Sequence, residues 1–79
     1  MKSFLTTQEI GRAIKNARIN RKLSQRELAK LVGVSQNLIY LLETSKTKMD
    51  LVIIDKICKE LKCVLTLRLG DETHEILDY

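Results

Sequence analysis

Apolar residues recur at helical spacing over the first three quarters of the chain, broken by short polar links. Ile10, Ile14, Ala17 and Arg18 mark one face of a first helix, predicted over about 7–21. Thr6 can cap it, with Glu9 reaching back in a capping box. Lys22-Leu23 is a short link. Ser24-Gln25-Arg26-Glu27 repeats the capping pattern and opens a second helix, whose inner stripe is Leu28, Leu31 and Val32 with Ala29 beside them. Gly33 ends that helix, because glycine tolerates the left-handed conformation found at helix ends. Two residues later Ser35 can cap a third helix, predicted to run to about Glu43. Helices joined so tightly must cross at a steep angle.

After the polar stretch 44–48, Asp50 can cap a fourth helix to about Lys62. Its residues Leu51, Ile53, Ile54, Ile57, Cys58 and Leu61 span an arc of about 160° at 100° per residue, wider than the roughly 100° that a surface helix needs. Part of that surface, through Ile53 and Ile57, is expected to meet a second subunit; burial between neighbouring helices is the alternative. From Cys63 the period changes to two. Cys63, Leu65, Leu67 and Leu69 alternate with Val64, Thr66 and Arg68, which predicts a strand over 63–69 ending at Gly70-Asp71. Continuation of the fourth helix is the alternative. No second strand is visible in the pattern, and a lone strand leaves its backbone groups unpaired. The simplest solution pairs Val64, Leu65, Thr66 and Leu67 with the same strand of a two-fold related copy. Residues 70–79 read as a mobile acidic tail.

The chain has 79 residues, 44% of them apolar and 30% charged, which suits one small folded domain. A domain of this size buries only about 60% of its unfolded surface, so a partner chain is expected. The longest apolar run, Leu38-Ile39-Tyr40-Leu41-Leu42, falls well short of the roughly 18 residues of a membrane span. The start is too short and polar for a secretory signal, so a cytoplasmic location is expected. Cys58 and Cys63 make neither a disulfide scaffold nor a zinc site, and read as reduced structural thiols. With one histidine, His74, and no glycine-rich phosphate loop, no catalytic set is visible. The expectation is a protein without enzymatic activity, metal or cofactor.

Charge changes the picture. Residues 1–69 hold all 14 Lys and Arg against six acids, whereas residues 70–79 hold four acids and no Lys or Arg. A basic body points to nucleic acid, and the acidic end to a second partner. On the third helix, Gln36, Asn37, Tyr40 and Leu41 lie opposite Leu38, Ile39 and Leu42. Amides at the start of such a helix can donate to and accept from one base edge, adenine N6/N7 being favoured. Leu41 could touch a thymine methyl; Tyr40 and Leu41 could instead form a protein contact. Lys46 and Lys48 are placed to meet phosphate, or are ordinary solvated lysines. Arg12, Lys15, Arg21 and Lys22 would add a basic flank.

The run Leu23-Ser24-Gln25-Arg26-Glu27-Leu28-Ala29-Lys30-Leu31-Val32-Gly33-Val34-Ser35, with Arg18, Ile39, Leu42 and Glu43, resembles the Xre family of helix-turn-helix DNA-binding proteins, the phage Cro and repressor type. The resemblance covers Ile10 to about Leu69. It implies a mainly α, lambda-repressor-like bundle of four or five helices, here with one short C-terminal β-strand pairing across a dimer. It also implies that Gln25 contacts a phosphate, that Ser35, Gln36, Asn37 and Leu41 face DNA, and that Arg18 and Glu43 form a buried ion pair. The domain is then 1–69, with dimerising strand 63–69 and tail 70–79. The apolar strand and the chain length look like the HipB antitoxins, which implies a homodimer that binds double-stranded operator DNA, represses its own operon and binds a kinase-like toxin, in the nucleoid-associated cytoplasm. Thr44-Ser45 and Met49-Asp50 depart from the family's usual Asn-Gly and Pro, so the loop must turn without glycine or proline.

Overall fold

The computed structural model describes residues 7–63, 65–69 and 72–77. It contains helices α1 (Thr7–Asn20), α2 (Gln25–Val32), α3 (Gln36–Glu43) and α4 (Leu51–Leu61), followed by strands β1 (Leu65–Leu69) and β2 (Glu72–Leu77). The proposed Thr6 cap and Val64 lie outside the described residues.

Helix starts follow from side chains that replace missing backbone partners. Ser24 Oγ accepts from the Glu27 N–H at 3.0 Å, and Glu27 Oε1 accepts from the Ser24 N–H at 2.8 Å. The Ser24 N–H foremost, and then the Ser24 hydroxyl, hold the Glu27 carboxyl below its ordinary pKa, because both favour its ionised form. Ser35 Oγ accepts from the Leu38 N–H at 3.1 Å, and Asp50 Oδ1 from the Val52 N–H at 2.9 Å. Two helix ends use left-handed residues. Gly33, at φ 84°, donates its N–H to the Ala29 carbonyl, and Lys62 sits at φ 51°. The Lys62 cap stops α4, so helix does not continue into residues 63–69.

The core draws on all four helices: Ile14 from α1, Leu28, Ala29 and Val32 from α2, Ile39 and Leu42 from α3, and Ile54, Ile57, Cys58 and Leu61 from α4. Five of them, Leu28, Ile39, Leu42, Ile54 and Ile57, are essentially inaccessible, each contributing roughly 1.5–3 kcal/mol of burial. Burial, with the Cys63 thiol beside it, pushes the Cys58 thiol up to about 12, so it stays protonated as a small core side chain. Two expectations change here. Leu31, expected on the inner stripe of α2, is half exposed. The buried arc of α2 runs from Leu28 to Ala29, and Leu31 falls about 60° outside it. On α4, Ile57 is fully buried and Ile53 half-buried against the same core. Apart from Leu51, the apolar arc packs into the core with α1 and α2 of the same chain, so Ile57, fully buried there, is not open to a dimer contact. The large apolar residues that α4 leaves exposed are Leu51 and Val52 at its start.

The C-terminal segment is also corrected. The backbone of β1 pairs antiparallel with β2 of its own chain, in the register Leu65–Leu77, Thr66–Glu75, Leu67–His74, Arg68–Thr73 and Leu69–Glu72, with an irregularity between Leu65 and Thr66. Residues 72–77, read from sequence as tail, supply the missing strand. Their charge hides the strand signal, because Glu72, His74 and Glu75 break the apolar alternation.

Candidate nucleic-acid interface

The interface is built from inside outward. Arg18 on α1 donates from Nε to Glu43 Oε2 at 2.7 Å and from Nη2 to Glu43 Oε1 at 3.1 Å. Its Nη1 donates to the Leu23 carbonyl at 2.8 Å, in the link between α1 and α2. Gln25 Nε2, at the start of α2, donates to Glu43 Oε1 at 3.1 Å. Both charged side chains are removed from water, at 11% and 1% exposure. The Glu43 carboxylate and the Arg18 guanidinium thus together tie the end of α3 to α1, the link and α2. A buried charge is tolerated only when paired and hydrogen-bonded, and a two-pronged guanidinium–carboxylate contact also fixes orientation. This network sets how α3 lies across its neighbours.

Gly11 completes the seat of α3. A β-carbon built there would stand 2.6 Å from the Leu42 carbonyl oxygen and 2.7 Å from that of Glu43. Only a residue without a side chain allows α1 to approach the end of α3 so closely. Sequence reading passed over Gly11. Its signal was its place on the inner stripe, one residue after Ile10 and two turns before Arg18.

The loop after α3 turns without glycine. Ser45 adopts φ 58°, and its hydroxyl donates to the Thr7 carbonyl at 2.7 Å, so the turn is pinned to the start of α1. Thr44 Oγ1 donates to the Tyr40 carbonyl at 2.7 Å, and the Lys46 N–H to the Leu41 carbonyl at 2.8 Å.

With the inner side occupied, the outer side of α3 is fixed. Gln36 and Asn37 are exposed on its first turn and make no side-chain hydrogen bond among the described residues. Tyr40 is 40% exposed one turn later, and Leu41 is half-buried. Ser35 is exposed, with its hydroxyl engaged in the cap. Lys46 and Lys48 are both exposed in the following loop. Lys46 Nζ donates to the Tyr40 hydroxyl at 3.3 Å. Gln25 differs from the rest: it is half-buried, and one of its two amide hydrogens serves Glu43. The other is left for an outside acceptor. Arg12, Lys15, Arg21 and Lys22 are exposed as well.

Chemically, this surface offers paired amides at the positive end of a short helix, with cations behind it, and that combination suits base edges flanked by phosphates. No helix among the described residues is long and apolar enough to cross a membrane. No curated protein matches the chain. A helix-turn-helix family model matches residues 14–66, about two thirds of the chain.

Proposed function

The chain belongs to the helix-turn-helix family of Xre and lambda-repressor type and is a DNA-binding regulator; from that premise we propose that it is a dimeric, sequence-specific repressor. Gln36 and Asn37 read base edges in the major groove. Gln25, Ser35, Lys46 and Lys48 hold the sugar–phosphate backbone, and Tyr40 and Leu41 complete the contact. The observation that carries this reading is the contrast within α3. Its inner carboxylate is held by two other side chains, while its first-turn amides stand exposed and make no side-chain hydrogen bond among the described residues.

The test is a fluorescence-anisotropy titration of the DNA upstream of the gene at several salt concentrations. Changing Gln36 and Asn37 together to Ala should remove discrimination of about 1–3 kcal/mol per base contact, leaving nonspecific binding in place. Unchanged affinity and sequence preference would take the base-reading role from these residues. The number of phosphate contacts follows from the salt dependence, about 0.9 units of log–log slope for each.

The dimer proposed here uses the hairpin rather than a lone strand. A two-stranded sheet leaves one unpaired backbone row on each strand. Joining the outer edge of β1 to its two-fold mate would build a four-stranded sheet and set two α3 helices on half-sites about 34 Å apart. Sedimentation of the full chain and of a chain ending at residue 62 tests this, since the truncated chain should lose the dimer. The finer reading is that the protein is the antitoxin of a kinase-like toxin, autoregulating its operon in the nucleoid-associated cytoplasm and lacking enzymatic activity. It is supported by the likeness of the C-terminal β-segment to that of the HipB antitoxins. Copurification with the product of a neighbouring kinase-like gene tests it, and removing residues 71–79 asks whether the acidic end is the docking element.

A further inference from the structure

Tyr40 and Lys46 meet on the outer side of α3. The Lys46 ammonium donates to the Tyr40 hydroxyl at 3.3 Å and stands 5.5 Å from the ring centroid, at the hydroxyl end of the ring. Both residues are exposed, so burial does not enforce the contact. The backbone brings the two residues together. The Lys46 N–H is bonded to the Leu41 carbonyl, the Thr44 hydroxyl to the Tyr40 carbonyl, and the Ser45 hydroxyl to the Thr7 carbonyl of α1. The segment that carries Lys46 is therefore tied both to the turn of α3 that carries Tyr40 and to α1. An exposed lysine ordinarily loses much rotamer freedom when it binds. Here the segment that carries the lysine is already placed, and its ammonium already has a partner in Tyr40.

Tyr40 also lies one turn after Gln36 and Asn37, on the same outer stripe. The remaining hydrogen-bonding capacity of the pair is of donor type. The ammonium has three N–H groups, one of which serves Tyr40, and the tyrosine O–H is itself free to donate, since the hydroxyl oxygen accepts from Lys46. Two exposed groups side by side, both able to donate and one of them charged, suit the oxygens of a phosphodiester.

We propose, resting on the DNA-reading role above, that Tyr40 is a positioning residue for Lys46. Its ring and hydroxyl hold the ammonium beside the base-reading amides, so that the two side chains grip one backbone phosphate as a unit. Tyr40 then adds affinity without adding sequence preference.

The experiment is a double-mutant cycle on the full chain, with operator DNA titrated across a range of salt. Lys46→Ala should reduce the log–log salt slope by about 0.9 and weaken matched and mismatched sites alike. Tyr40→Ala should reproduce most of both changes, although it removes no charge. Each single change should cost about five- to tenfold in affinity, the scale for immobilising one long side chain. The double variant should be no more than about twofold weaker than Lys46→Ala alone, since contacts that act as one unit are not additive. Tyr40→Phe, which keeps the ring, should fall between wild type and Tyr40→Ala. Additive losses, or a Tyr40→Ala variant with an unchanged salt slope and altered base preference, would overturn the proposal and make Tyr40 an independent base contact. Thermal melts of each variant identify any that fail to fold, and the Tyr40→Phe and Lys46→Ala arms then complete the cycle. A wild-type chain that binds no duplex overturns the DNA reading itself. A wild type that binds, with additive variants, overturns only the coupling.

Discussion

The two sides of α3 are built from the same eight residues, yet they differ in what they are for. On the inner side Ile39, Leu42 and Glu43 are buried, and the Glu43 carboxylate is held by Arg18 and Gln25. On the outer side Gln36, Asn37 and Tyr40 are exposed, and the two amides are bonded to nothing described. The inner side spends its polar chemistry within the chain, and the outer side keeps it available. The difference teaches that a readable surface here depends on a seat it does not touch. The orientation of the amides is set by a buried ion pair and by a glycine on another helix.

Stability measurements break or sharpen that contrast. The largest effect is expected at the ion pair. Arg18→Met should cost about 3–5 kcal/mol in urea unfolding, because it leaves Glu43 charged and buried without its guanidinium. Replacing both partners, Arg18→Met with Glu43→Leu, should recover much of the loss. A double variant as unstable as the single one would mean that the network matters for more than its own charge. Next comes Gly11→Ala. The added methyl meets backbone oxygens at 2.6 and 2.7 Å, so α1 must move away from α3, at about 1–3 kcal/mol in the same assay. A smaller cost would show that this seat is loose.

A cap variant should matter less. Ser24→Ala should cost about 1 kcal/mol at neutral pH. The Glu27 carboxyl opposite it has a folded pKa below the ordinary 4.5. Its ionised form therefore favours folding above that value, and the contribution fades as pH falls through the lowered folded one. The stability gap between wild type and Glu27→Ala should accordingly narrow in acid. A gap that stays constant down to pH 2 would deny the carboxylate this role. The smallest stability effect is expected on the outer side. Gln36→Ala with Asn37→Ala should change unfolding by no more than about 0.5 kcal/mol while changing DNA recognition. Large destabilisation by that pair would erase the distinction between the two sides.

Much of this was legible from local chemistry. The Ser24, Ser35 and Asp50 caps, the Gly33 stop and the core positions Ile14, Leu28, Ile39, Leu42, Ile54 and Leu61 stand where spacing and capping patterns put them. The Arg18–Glu43 pair was implied by the family resemblance and is present at 2.7 Å. Leu31 and Ile57 were misjudged because helical periodicity says which residues share a stripe, not which neighbour covers it. Strand β2 was missed because its charged residues conceal it, and the pairing that makes it a strand is a relation between two segments.

Sequence alone determined the elements that short-range forces decide: where helices start and stop, which side chains share an apolar stripe, and where two amides open the third helix. Tertiary structure alone decided the relations across distance. Glu43 reaches Arg18 across 25 positions, and Ser45 reaches Thr7 across 38. A carboxylate, a glycine or an exposed lysine has no inherent role in a pattern of neighbours. It acquires one only when the folded backbone brings a partner within a few ångströms, where desolvation, steric exclusion and hydrogen bonding act.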